Sequence, residues 1–131
     1  MIVIDSSAAV ELICDSATGR KVAERIAEAD SLHAPHLIDL EVANALRKLA
    51  LRSKTDASQC YARLQLFLCL QIDRHEHQVL LPRIWQLRNN LPAYDAAFVA
   101  LAEVLEAPLL TCDRGLAHGP TESARIEWIR A

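Results

Sequence analysis

Glycine is scarce in this chain, with 3 in 131 residues, at Gly19, Gly115 and Gly119. Neither G-x-G-x-x-G nor G-x-x-x-x-G-K-[ST] occurs, so dinucleotide-binding and P-loop readings lose their main support. The four cysteines (Cys14, Cys60, Cys69 and Cys112) show no C-x-x-C spacing. They read as reduced core thiols rather than as a zinc site or a disulfide framework. No apolar stretch approaches the ~20 residues that span a bilayer, so no membrane partner is expected. The opening run MIVIDSSAAVELICDS lacks a basic segment before its apolar part, and an Asp interrupts it. It does not read as a secretory signal, and a cytoplasmic protein is the expectation. An excess of basic charge is missing too: the net charge is −3, whereas nucleic-acid binders usually show a basic surface.

Apolar residues are present in quantity, at 52% against 24% charged, which specifies a folded globule rather than a disordered chain. The length suits one domain over residues 1–131. Short β-branched or apolar runs at 1–5, 31–34, 70–73, 109–112 and 127–130 read as strands. Between them, helical periodicity or capping predicts helices over 8–13, 18–29, 35–52, 56–68, 75–90 and 92–106. Short strands alternating with longer helices imply βαβ units, an α/β class and a largely parallel sheet.

The segment LPAYDAAFVALAE, residues 91–103, raises a specific question. Through residues 93–102 its one charge is Asp95, and a carboxylate in a buried helix needs a partner. Three other acids share its setting. Asp5 ends the first strand, Asp113 follows the fourth in LLTCD, and Glu41 lies beside the apolar stripe of the helix after the second strand. In open α/β sheets, sites form beyond the carboxyl ends of the strands. Taken singly, each acid has a structural reading as a turn former, cap or solvated residue. Crowded at one edge, the four repel unless a cation lies among them, and no Lys or Arg is embedded around Asp5, Glu41 or Asp95. Oxygen-only ligands select Mg²⁺ or Mn²⁺ over zinc, and such an ion can activate water for attack on a phosphodiester.

The pattern VIDSSAAVEL, APHLIDLEVANAL, LPAYDAAFVALAE and LLTCD resembles the PIN domain, specifically the VapC ribonuclease toxins of toxin–antitoxin pairs, over essentially the whole chain. The resemblance implies a PIN-like fold, with a parallel five-stranded sheet flanked by helices on both sides. It also implies a Mg²⁺- or Mn²⁺-dependent endoribonuclease with an RNA substrate, a cognate antitoxin and a homodimeric state. The acidic quartet falls on Asp5, Glu41, Asp95 and Asp113. Ser7 matches the hydroxyl of the Asp-x-Ser/Thr motif, Asn44 the Asn three residues after the Glu, and Thr111 the Thr of Thr-x-Asp. Where many members carry Thr or Ser three residues before the third acid, this chain has Pro92, which suits a first helical turn.

Without the four site acids the net charge would be +1 rather than −3. Arg47, Lys48, Arg52 and Lys54, with Arg74, Arg83, Arg88 and Arg114, then offer a weak basic rim. Tyr61, Tyr94, Phe67, Phe98, Trp85 and Trp128 mostly sit at core spacing, so backbone and shape recognition is expected over base stacking. Leu64, Leu66, Phe67 and Leu68 give the 56–68 helix more apolar surface than one side buries, which predicts a dimer interface. Asp39 points away from Glu41, Glu11 reads as structural, His75 and His77 as a surface helix start, and His118 as a loop residue. A haloacid-dehalogenase-type phosphatase would need Asp where Ser7 stands. A response-regulator receiver would need an acidic pair and a late Lys. The remaining alternative is a non-catalytic PIN module that binds RNA or protein.

Overall fold

The computed structural model describes residues 1–52, 56–119 and 124–131. Five strands, β1 (Ile2–Ile4), β2 (Leu32–Pro35), β3 (Ile72–His75), β4 (Leu109–Thr111) and β5 (Ile126–Trp128), form one sheet in the order β3-β2-β1-β4-β5. Every neighbouring pair is parallel. The helices are α1 (Ser6–Ile13), α2 (Ala17–Ile26), α3 (Ile38–Arg52), α4 (Ala57–Cys69), α5 (Leu81–Gln86), α6 (Ala93–Leu105) and α7 (Arg114–Ala117), with a 3₁₀ turn at Gln78–Leu80. The expected α/β sheet is therefore present. No helix among the described residues is long and apolar enough to cross a membrane.

The chain moves outward from β1 to β2 and β3, then returns to the other side of β1 for β4 and β5. Right-handed crossovers therefore place the helices on opposite faces. One face carries α1 packed on α2, α3 and α4, while α6 packs on α5, β1, β2 and β4. The strand order reverses between β1 and β4, and the cleft at their carboxyl ends is where such folds build their sites.

Local chemistry explains the main elements. Residues Ala96 to Ala102 of α6 are all buried, as the near-uniform apolar sequence requires. Asp56 caps α4 by accepting from the Gln59 N–H at 2.8 Å. Gly19 is required where α2 meets the end of α1, because a Cβ there would lie 1.9 Å from the Glu11 carbonyl oxygen.

Three expectations are corrected. Pro35 ends β2, paired with His75, instead of opening α3; its fixed φ suits a strand end as well as a first helical turn. The third strand lies at 72–75 rather than 70–73, since Leu70 serves as the C-cap of α4. His75 consequently belongs to a strand, where its Nε2 and His33 Nδ1 share a hydrogen bond at 2.9 Å. The predicted helix over 75–90 reduces to the 3₁₀ turn and six-residue α5, with Pro82 in the first turn of α5. A proline lacks the N–H that a continuous helix would need there.

Candidate metal centre

Asp5 follows β1 and caps α1, and it is only 4% exposed. Its Oδ1 accepts from the Ala8 N–H at 2.9 Å and from the Ser7 hydroxyl at 2.7 Å. Its Oδ2 accepts from the Thr111 hydroxyl at 2.5 Å. The two hydroxyls are themselves held from the neighbouring strand end. Ser7 Oγ accepts from the Cys112 N–H at 2.9 Å, and Thr111 Oγ1 from the Asp113 N–H at 3.0 Å. The ends of β1 and β4 are thus stitched together through one carboxylate. An ionised carboxyl offers about four lone-pair positions, and three are filled here, so Asp5 is oriented with acceptor capacity to spare. Burial pushes its pKa up, the Thr111, Ala8 and Ser7 hydrogen bonds pull it back, and nearby Asp113 raises it again; the net direction is up.

Asp113 caps α7 with Oδ1 accepting from the Gly115 N–H at 2.8 Å, and the residue is exposed. Glu41 stands in the first turn of α3 and is half-buried. Its Oε1 is buried with no hydrogen-bond partner among the described residues. Burial raises its pKa most; Asp95 and Asp5 raise it further, against an opposing contribution from the Ser6 hydroxyl. Asp95, in the first turn of α6, is also half-buried, and its pKa is raised by burial and then by Asp113. The α6 cap residue, Pro92, supplies no side-chain cap.

The four acids therefore repel one another around a closed circuit: Asp5 with Asp113, Asp113 with Asp95, Asp95 with Glu41, and Glu41 with Asp5. None of them forms an ion pair with Lys, Arg or His among the described residues. An orphaned buried oxygen and mutually repelling carboxylates are what a hard divalent cation satisfies. Among the described residues, no three of His, Cys, Asp and Glu stand close enough to ligate one ion directly as they are. The neighbouring Cys112 thiol has its pKa pushed up to about 12 by burial, Asp5 and Glu11.

Ser7 and Thr111 both donate hydrogen bonds to Asp5. Asn44 is exposed and lines an adjoining groove with Glu41. The sequence suggests Ser6 and Ser7 as caps of the first helix, but Asp5 is the cap and the Ser6 hydroxyl instead bonds to Glu41. Asp39 is engaged by Arg74 at 2.8 Å, and Glu11 accepts from the Ser16 hydroxyl, so both are structural. His118 packs edge-on to Trp128. The basic rim is thinner than expected: Arg74 and Arg83 are committed to Asp39 and Glu103, while Arg47, Lys48, Arg52 and Arg114 remain exposed. Lys54 lies outside the described residues.

A family model described as the PIN domain matches residues 2–120. Ribonuclease VapC9 of Mycobacterium tuberculosis is 42% identical over 113 residues, 86% of each chain. Ribonuclease VapC12 of the same species is 38% identical over 129 residues, 98% of this chain and 99% of that one. The chain belongs to the VapC family of PIN domains. Solved structures agree with this VapC fold. PAE2754 from Pyrobaculum aerophilum superposes with a TM-score of 0.71 at 25% identity, covering 95% of this chain and 87% of that one. VapBC2 from Rickettsia felis, solved bound to a DNA fragment from its promoter, gives 0.72 at 16% identity, with 99% and 100% covered. This second likeness concerns the fold alone.

Proposed function

We propose that this chain is a divalent-metal-dependent endoribonuclease, the toxin of a toxin–antitoxin pair, and that Asp5, Glu41, Asp95 and Asp113 hold the ion. The observation that carries the reading is the partnerless, buried Glu41 Oε1 facing the repulsion of Asp95 and Asp5. The VapC ribonuclease relatives support RNA as the substrate class, and the likeness to a toxin–antitoxin complex from Klebsiella pneumoniae supports an antitoxin as the partner.

Mg²⁺, or Mn²⁺ in its place, would supply a water of lowered pKa and positive charge against the phosphate oxygens. Asp5 orients the centre because both of its oxygens are already fixed by hydroxyl and backbone donors. Ser7 and Thr111 serve as positioning residues through Asp5. Glu41 Oε1, buried and without a hydrogen-bond partner among the described residues, is the oxygen that an ion or its bound water would satisfy. Asp95 and Asp113 complete the negative field. Purified protein is expected to cut RNA in millimolar Mg²⁺ or Mn²⁺ and to stop in EDTA. Cleavage that survives exhaustive chelation would refute the reading.

A homodimer is proposed alongside. On α4, Phe67 is buried and Leu64 packs on the core, but Tyr61, Leu66 and Leu68 are exposed. An apolar patch of that kind marks an interface. Sedimentation at micromolar concentration is expected to give the dimer mass, and Leu66→Lys with Leu68→Lys is expected to give a monomer. A wild-type monomer would contradict the assignment.

A further inference from the structure

We infer that the groove beside the carboxylates is a slot for one unpaired nucleobase, stacked on Tyr94 and read at its edge by Asn44. The inference rests on the ribonuclease reading above and adds the feature of RNA that the site recognises. A groove of about 600 Å³ runs between α3, α5 and α6, lined by Leu37, Leu40, Glu41, Asn44, His77 and Tyr94 among others. Its size is that of a small-molecule site, and its walls are mostly apolar with a few polar groups, the composition such sites use. Tyr94 is 66% exposed and immediately precedes Asp95. Glu41 belongs both to the groove wall and to the acidic circuit, so the groove and the carboxylates are continuous.

Charge chooses the occupant. No Lys or Arg lines the groove, and Glu41 does. A phosphodiester would be repelled there, but a neutral, flat heteroaromatic ring would not. RNA held with a phosphate at the carboxylates must place the nucleoside next to that phosphate nearby, and this groove adjoins them. Tyr94 offers a ring face for stacking, which tolerates any base. Asn44 offers one acceptor and two donors, and His77 a further polar edge, so the slot can also discriminate. A base already paired in a duplex has its edge occupied, so the slot selects single-stranded RNA. The expectation that recognition avoids stacking is revised on this point, because Tyr94 is exposed at the site instead of buried in the core.

The test is cleavage of a random-sequence, single-stranded RNA pool in Mg²⁺ by wild type, Tyr94→Ala, Tyr94→Phe and Asn44→Ala. Rates, sequences flanking the cuts, melting temperatures and the Mg²⁺ concentration for half-maximal rate are all recorded. Tyr94→Ala is expected to lower kcat/KM by on the order of 10- to 100-fold, the worth of one base stack. Its melting temperature and half-maximal Mg²⁺ should stay at the wild-type values, and Tyr94→Phe should retain the wild-type rate. Asn44→Ala is expected to flatten base preference at one position beside the cut. A Tyr94→Ala variant with the wild-type rate and base pattern would overturn the slot and leave the ribonuclease reading standing. A raised Mg²⁺ requirement in Tyr94→Ala would overturn it as well, by assigning Tyr94 to the ion. Failure of wild type to cut the pool at all would remove both readings.

Discussion

Asp5→Asn is expected to reduce metal-dependent RNA cleavage by on the order of 100-fold or more, the scale on which metal sites respond even to their supporting residues. Its melting temperature should hardly move. The hydrogen bonds explain why the two effects separate. An amide oxygen in place of Oδ1 still accepts from Ser7 and from the Ala8 N–H. An amide nitrogen in place of Oδ2 would face Thr111, whose hydroxyl turns from donor to acceptor and directs its own proton toward Ser7 Oγ, 3.3 Å away. Buried charge is removed as well, which offsets any loss. Asp5→Ala removes the cap and both hydroxyl acceptors, at a cost of about 2–3 kcal/mol. The measurements are kcat/KM and thermal melting of both variants. If Asp5→Asn melts as low as Asp5→Ala while retaining activity, Asp5 is a structural cap only.

Asp95→Asn is expected to show the opposite balance between stability and binding. Without an ion, the raised pKa values of Asp5, Glu41 and Asp95 mean that folding disfavours their charged forms. Their contribution to stability is fully present below the ordinary carboxylate range and is lost as pH rises through the raised values. At neutral pH the ion-free protein therefore carries the repulsion unrelieved. Removing one charge should stabilise it by about 1 kcal/mol or less, since Asp95 is only half-buried and solvent screens it. The gain over wild type in EDTA should grow as pH rises above the ordinary carboxylate range. His33, whose pKa is lowered by burial, and Glu127, whose pKa is lowered by its hydrogen bond from Arg25, titrate alike in both proteins and cancel in the comparison. Binding of Mg²⁺ to the native state stabilises by mass action, by about 2.7 kcal/mol at 100 times Kd. The variant should lose most of that rise.

The residues that were legible in the sequence are those fixed by strand ends and short spacing. Asp5 and Ser7 lie two apart at the end of a β-branched run, and Thr111 and Asp113 repeat that spacing after the apolar pair Leu109 and Leu110. A parallel sheet with β1 beside β4 then brings the two pairs together; the alternation of elements implied the parallel sheet but not that strand order. Helix α6 was legible because its apolar run is long. The third strand was displaced because its residues 73–75 are Asp, Arg and His. An edge strand exposed on one side need not be apolar, so hydropathy drew the strand two residues early. The 75–90 region misled for a different reason: its helical periodicity is real, but Pro82 restarts the helix. The groove was illegible because it joins α3, α5 and α6 across more than 50 residues of sequence, and the exposure of Tyr94 follows from that packing alone.

Paired thermal melts of wild type and Asp95→Asn, each in EDTA and in millimolar Mg²⁺ at neutral pH, test most directly whether these carboxylates hold an ion. Wild type is expected to melt clearly higher in Mg²⁺ than in EDTA. Asp95→Asn is expected to match or exceed wild type in EDTA and to gain little from Mg²⁺. A variant that melts below wild type in EDTA yet keeps the full Mg²⁺-induced rise would contradict the account, because Asp95 would then be supporting the fold and not the ion.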